Sequence, residues 1–182
     1  MVEHRAAFLR AIQSRAARIA VGPSTVRGQG GKGVVKAGRG FLRQLNLRQF
    51  ATGDSRRFDR TLDRVTESLK KALPRPARSW GLARKVLNIF LRDCLYTVYL
   101  RNAYRLGRAE HLLELPLDSI TARQLKREFG RGALPGWPGV KHNTPGLSRE
   151  FQDAALVIAK AKGLARIHLD AYWWSQSRDD EV

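Results

Sequence analysis

The clearest apolar rhythm in the chain begins after Asp54, where Phe58, Leu62, Val65, Leu69 and Leu73 recur at helical spacing. Asp54 or Ser55 stands ready as an N-cap and Pro74 as a stop, so the pattern predicts an amphipathic helix over 55–73. The next segment, "SWGLARKVLNIFLRDCLYTVYL", places Val86, Leu87, Phe90, Leu91, Cys94, Leu95, Val98 and Tyr99 on one broad stripe without a breaker. That predicts a single helix through the core, with Lys85 near its start beside Trp80 and Gly81. A turn around Gly107 precedes "LELPLDSITARQLKR", in which Pro116 breaks the chain and Asp118 opens a short helix ending near Gly130.

Toward the C-terminus, Ser148 is the expected cap of a helix carrying Phe151, Ala155 and Ile158 on one face and stopped by Gly163. The last element, "LARIHLDAYWW", has strand-like content, but Leu164, Ile167, Ala171 and Trp174 are spaced for a helix. Toward the N-terminus, Phe8, Ile12 and Ile19 fall at roughly helical intervals, whereas "GQGGKGVVKAGRG" is too rich in glycine to predict a stable element. The chain therefore reads as all-α: a compact bundle of helices with a basic N-terminal arm. The expected divisions are a helix and flexible glycine-rich loop over 1–53, a helical domain over 54–176, and a polar tail over 177–182.

Charge narrows the range of partners. The 182 residues carry 34 Lys+Arg against 16 Asp+Glu, a formal +18, and twelve of those cations precede residue 58, where the only acids are Glu3 and Asp54. Such an excess points to a polyanion, with nucleic acid ahead of an anionic membrane. No run approaches the roughly 18 apolar residues of a membrane span. No secretory signal is legible at the N-terminus, so the expectation is a soluble, cytoplasmic protein, taken as a monomer. Cys94 is the only cysteine, which excludes an intrachain disulfide, and His4, His111, His142 and His168 show no metal-ligand spacing. No cofactor and no metal is expected.

Several residues have two readings each. "GGKG" is reminiscent of a phosphate-binding loop, but Gly33 stands where the magnesium-holding Ser or Thr is required, which leaves a flexible basic loop touching phosphates. Asp118 is well placed as a helix cap, and a capping aspartate held in a fixed orientation can also face a cleft. Lys85 either lays its stem along the helix with its ammonium in water, or sits partly desolvated as an amine nucleophile. Tyr172, Trp173 and Trp174 read first as core aromatics. Trp80 and Trp137, near glycine and proline, read as more exposed and able to stack on a base. Asp170 and His168 can serve the same site or only cap and pair.

"GLARKVLNIFL", then "LPLDSITARQLKR" about thirty residues later, and a closing "HLDAYWW" together resemble the helix-hairpin-helix superfamily of DNA glycosylases over roughly residues 54–176. In that superfamily a proline, an apolar residue and an aspartate ahead of a basic helix carry the catalytic acid. The separation of Lys85 from Asp118 is most similar to the archaeal 8-oxoguanine glycosylase branch. No "LPGxG" hairpin lies between Lys85 and Asp118, and "LPGWPG" at 134–139 follows the aspartate instead.

The resemblance implies a DNA-binding cleft and an enzyme of base excision, in DNA repair or antiviral defence. It would flip a damaged or modified base, including a bulky one of phage DNA, out of duplex DNA and cut its N-glycosidic bond. Asp118 and Lys85 would be catalytic, and Trp80, Trp137 and Trp173 would form the base pocket. Lys32, Lys36, Arg39, Arg123, Lys126, Arg127 and Lys141 would hold phosphates. The alternatives are a noncatalytic nucleic-acid-binding protein in which Asp118 only caps, and an interaction subunit whose basic arm docks on an acidic partner.

Overall fold

In a computed structural model the described residues are 2–30, 32–130 and 132–179; helices are the regular structure they form, and no strand occurs among them. Residues 180–182 of the expected polar tail lie outside them. Among the described residues eight α-helices follow one another: α1 Val2–Ala20, α2 Val34–Gln44, α3 Ser55–Ala72, α4 Trp80–Tyr96, α5 Val98–Tyr104, α6 Ser119–Phe129, α7 Pro145–Ala161 and α8 Leu169–Asp179. Short 3-10 turns, among them Leu106–Leu112, Val140–His142 and Arg166–His168, connect them.

Local chemistry sets most of the helix boundaries. The Asp54 carboxylate accepts from the Arg57 amide at 2.6 Å to open α3, and the Ser79 hydroxyl accepts from Leu82 N–H at 3.2 Å to open α4. On α3 the expected stripe of Phe58, Leu62, Val65 and Leu69 is buried, with Leu73 closing the helix as its C-cap. The helix carrying Phe151 starts one turn before the predicted cap. Thr144 caps it, Pro145 takes the first helical position where its missing N–H costs nothing, and Ser148 lies buried within α7.

Two apolar cores result. The first joins α1 to α5 and includes Leu42, Phe50, Phe58, Leu87, Phe90 and Leu113. The second joins the 115–117 segment to α6, α7 and α8 through Leu115, Leu125, Phe151, Leu169 and Trp173. Trp137 packs against both.

The first 53 residues, expected to form an arm, contribute Ala16, Ala17, Ala20, Val21, Val34, Leu42, Leu47 and Phe50 to the first core. The glycine-rich stretch is a helix from Val34 onward. Gly38 lets α2 approach α1 so closely that a Cβ there would stand 3.1 Å from Val21 Cγ1. The inward face of α1 also differs from expectation: alanines and Gln13 are buried, while Phe8 and Ile19 are 43% and 54% exposed.

Two other expectations are corrected. The long predicted core helix breaks at Thr97, whose hydroxyl donates to the Asp93 carbonyl at 2.8 Å while its backbone is extended. The break turns Val98 and Tyr99 outward and keeps Leu100 inside. In the last element Ile167, Leu169 and Trp173 are buried, whereas Ala171 and Trp174 are exposed, because a 3-10 turn precedes α8 and shifts its phase.

Candidate functional site

The residues singled out between α4 and α6 do meet. Lys85 Nζ lies 3.1 Å from Asp118 Oδ2, with side chains 12% and 27% exposed. The two carboxylate oxygens have different work. Oδ1 accepts from the Ile120 and Thr121 amides at 2.9 and 3.0 Å, and the Thr121 hydroxyl accepts in return from Asp118 N–H at 2.9 Å, a reciprocal capping box. Oδ2 is left for Lys85.

Burial pushes the Asp118 carboxyl up, but the Lys85 ammonium and the Thr121 and Ile120 amides outweigh it and hold the acid below its usual range. The carboxylate is thus an anion at neutral pH, fixed by a helix start and facing a lysine.

Beside this pair runs a network that neither charge counting nor spacing pointed to. Arg84, the residue before Lys85, grips Glu114 through two hydrogen bonds of 2.8 and 3.1 Å and Asp63 at 2.9 Å, and donates to the Thr66 hydroxyl at 2.9 Å. Asn88 donates to Glu114 at 3.0 Å. Burial raises the Glu114 carboxyl, and Arg84 and Arg166 overcome it, leaving the acid below its usual range. The signal was present as an arginine inside an apolar helix and a glutamate between leucines in "LLELPL"; charges in such positions are rarely unpaired.

Glu114 and Asp118 stand four residues apart on the extended link between the two cores, about 13 Å along the chain. They meet consecutive cations of α4. Gln152 of α7 exchanges hydrogen bonds with Leu115 N–H and C=O between them, at 3.0 and 2.7 Å. The link is pinned at both ends and in the middle.

The expected aromatic wall is only partly assembled. Trp80 stacks on the Arg84 guanidinium, 5.0 Å from Cζ to the ring centroid, and lines a cavity of about 220 Å³ with Asp59, Asp63, Glu114, Arg149 and Arg166. Neither Lys85 nor Asp118 lines that cavity. Trp173 is a core residue, 5% exposed, whose indole N–H donates to Glu128. Trp137 is part-buried, edge-on to Phe151 at 5.3 Å, and its buried N–H has no hydrogen-bond partner. Trp173 is a member of the second core, and Trp137 packs against both cores.

Of the expected phosphate contacts, Lys32, Lys36, Arg123, Arg127 and Lys141 are exposed and Lys126 is half-buried. Arg39 is already engaged: its guanidinium donates to the Val21 carbonyl at 2.9 Å and the Arg18 carbonyl at 3.4 Å, satisfying the end of α1. Asp170 pairs with Arg92, and His168 bridges the Tyr96 hydroxyl at 2.9 Å and Glu110 at 3.0 Å, so both serve to hold α8 and its preceding turn against α4.

Among the described residues no cluster of His, Cys, Asp and Glu is arranged to hold a metal, and no helix is long and apolar enough to cross a membrane. Comparison with protein-family models, with curated protein sequences and with solved structures finds no match.

Proposed function

We propose that the protein is a DNA glycosylase of the helix-hairpin-helix type, acting on a damaged or modified base in duplex DNA. The observation that carries this reading is the ion pair of Lys85 and Asp118 at the mouth of a helix that continues into Arg123, Lys126 and Arg127.

Breaking an N-glycosidic bond builds positive charge at C1′ of the sugar. A carboxylate held ionised beside that carbon stabilises the transition state more than the ground state. Asp118 supplies the anion, and its cap fixes the direction in which Oδ2 points. Water attacks C1′ in the simpler version, and the base leaves with a proton. In the other version the Lys85 amine, once deprotonated, attacks C1′ and displaces the base, which leaves with a proton; opening of the C1′–O4′ bond and loss of a proton from nitrogen then give a Schiff base that permits strand cleavage. Trp80 is the aromatic this reading assigns to the extruded base, and Lys32, Lys36 and Lys141 join the α6 cations on phosphates.

The test incubates the protein with duplexes bearing oxidised, deaminated or glucosylated bases, then heats in alkali. Alkali-labile sites on one modified duplex, lost in Asp118→Asn, are expected. No breaks on any duplex, or full activity in Asp118→Asn, would refute the reading. Borohydride trapping decides the nucleophile: an adduct lost in Lys85→Ala means the amine, and no adduct with retained excision means water.

A second reading is favoured by the capping box and the pinned link: a noncatalytic nucleic-acid-binding protein in which Lys85 and Asp118 only join two helices. It expects binding that weakens steeply with salt and leaves every duplex chemically intact.

A further inference from the structure

Five of the nine large apolar side chains exposed among the described residues lie together: Phe8 and Ile19 on α1, and Tyr96, Val98 and Tyr99 at the α4–α5 junction. Concentration of this kind marks an interaction site, whereas scattered exposed apolar residues need no explanation. Two cavities of about 380 and 430 Å³ flank the junction and share Val98 and Tyr99 as a common wall. Together they form one groove along α1 from Arg5 to Arg15 and Ile19, about 20 Å at 1.5 Å per residue.

The groove has an apolar floor and a positive rim. Arg5 lines one end and Arg15 the other, and from residue 4 to 53 the sequence contains no acid. Among the described residues the one carboxylate lining it, Asp93, is held by Arg92 at 3.4 Å. A second copy of this chain would bring arginine against arginine. Stacked bases also fit poorly, because the Phe8 and Tyr99 rings meet edge to face at 4.9 Å and 90° and cannot offer parallel faces. Aliphatic knobs with acidic neighbours suit both the floor and the rim.

We propose that this groove docks an amphipathic helix of a protein partner, about 14 residues long, whose apolar stripe is flanked by Asp and Glu. The inference is independent of the Lys85 and Asp118 chemistry, since it uses the other end of α4.

The experiment pans a display library of random peptides of about 16 residues against the full chain, with counter-selection on Ile19→Asp. The substituted side chain is exposed, so a circular-dichroism melt matching the parent protein is a precondition for its use. Enriched peptides should be acidic, with apolar residues at helical spacing. They should bind at least about tenfold more weakly to Ile19→Asp and to Val98→Asp, and about threefold more weakly to Arg5→Glu or Arg15→Glu.

Enrichment of nothing, of basic or unpatterned peptides, or of peptides indifferent to Ile19→Asp would overturn the proposal. So would a dimer in sedimentation that Val98→Asp dissolves, or a single-stranded oligonucleotide whose binding falls tenfold in Tyr99→Ala.

Discussion

The Lys85–Asp118 pair makes a thermodynamic prediction that holds whether or not the protein is an enzyme. The perturbation is a double-mutant cycle of Lys85→Met, Asp118→Asn and both. Methionine keeps most of the stem volume, and asparagine keeps an oxygen that can accept from Ile120 and Thr121, so the cycle isolates the ionic contact. At 3.1 Å the Coulomb attraction is about 5 kcal/mol for an effective dielectric constant of about 20. Desolvation of two largely covered side chains offsets most of that, leaving a coupling of about 1 to 2 kcal/mol.

Urea unfolding followed by helical circular dichroism at low salt measures it. Asp118→Ala should cost about a further 1 kcal/mol beyond Asp118→Asn, because the cap goes as well. The pH dependence has a definite sign. The folded-state pKa of Asp118 is lowered, so its contribution is fully present above the unfolded carboxylate value of about 4 and is lost as pH falls through the folded value. The gap between the parent protein and Asp118→Asn should therefore narrow below about pH 4. A coupling under about 0.3 kcal/mol, or a gap that widens in acid, would refute the reasoning.

Four other outcomes follow from the same packing. Glu114→Gln leaves the buried Arg84 short of its main counter-ion and should destabilise by about 3 to 5 kcal/mol in urea titration, a loss that shrinks in acid because the Glu114 carboxyl also titrates below its usual range. Gly81→Ala would set a Cβ 2.1 Å from the Val140 carbonyl oxygen and 2.8 Å from Asn143 Cβ, so a cost above about 3 kcal/mol or failure to fold is expected by thermal melt. Gly40→Ala, in the interior of α2 with nothing within 4 Å of the new methyl, should instead stabilise by up to about 1 kcal/mol in the same assay. Cys94 is fully buried and its thiol is pushed well above its usual range, so a thiol reagent should label it only as urea unfolds the chain.

What the sequence disclosed depended on whether local signals and tertiary packing agreed. For α3 they agreed: cap, stripe and stop all fell within one turn of the observed helix. For α6 the cap itself was visible as an aspartate after a proline. The misjudged elements share one cause, which is that the surface an apolar residue faces is set by its neighbours in space. Phe8 and Ile19 have helical spacing, but the alanines between them allow α1 to approach α4 along a different line, and the larger residues are left outside. Gly38 argued against a helix by its backbone entropy, yet it lies inside α2, where the missing Cβ leaves room for the Val21 side chain. Thr97 carries no breaker signal, and only the Asp93 carbonyl it bonds reveals the bend.

The site follows the same logic one level up. Arg84 and Lys85 are adjacent in sequence, but successive residues on a helix point about 100° apart, so one cation turns to α3 and Glu114 and the other to Asp118. The resemblance to the glycosylases singled out the second pair, whose acid a capping motif also marked, and the first was overlooked because Glu114 carries no such mark. The two pairs constrain each other. With Glu114 clamped by Arg84 and the chain extended to Asp118, the carboxylate that caps α6 has little freedom to leave Lys85. The pinned link therefore supplies the fixed geometry that a carboxylate acting at a sugar carbon requires, and it supplies the same rigidity to a protein that only binds. Chemistry on modified DNA, and not further geometry, separates the two: the link predicts a rigid Asp118 in either case, and only a glycosylase loses a product when Asp118 becomes asparagine.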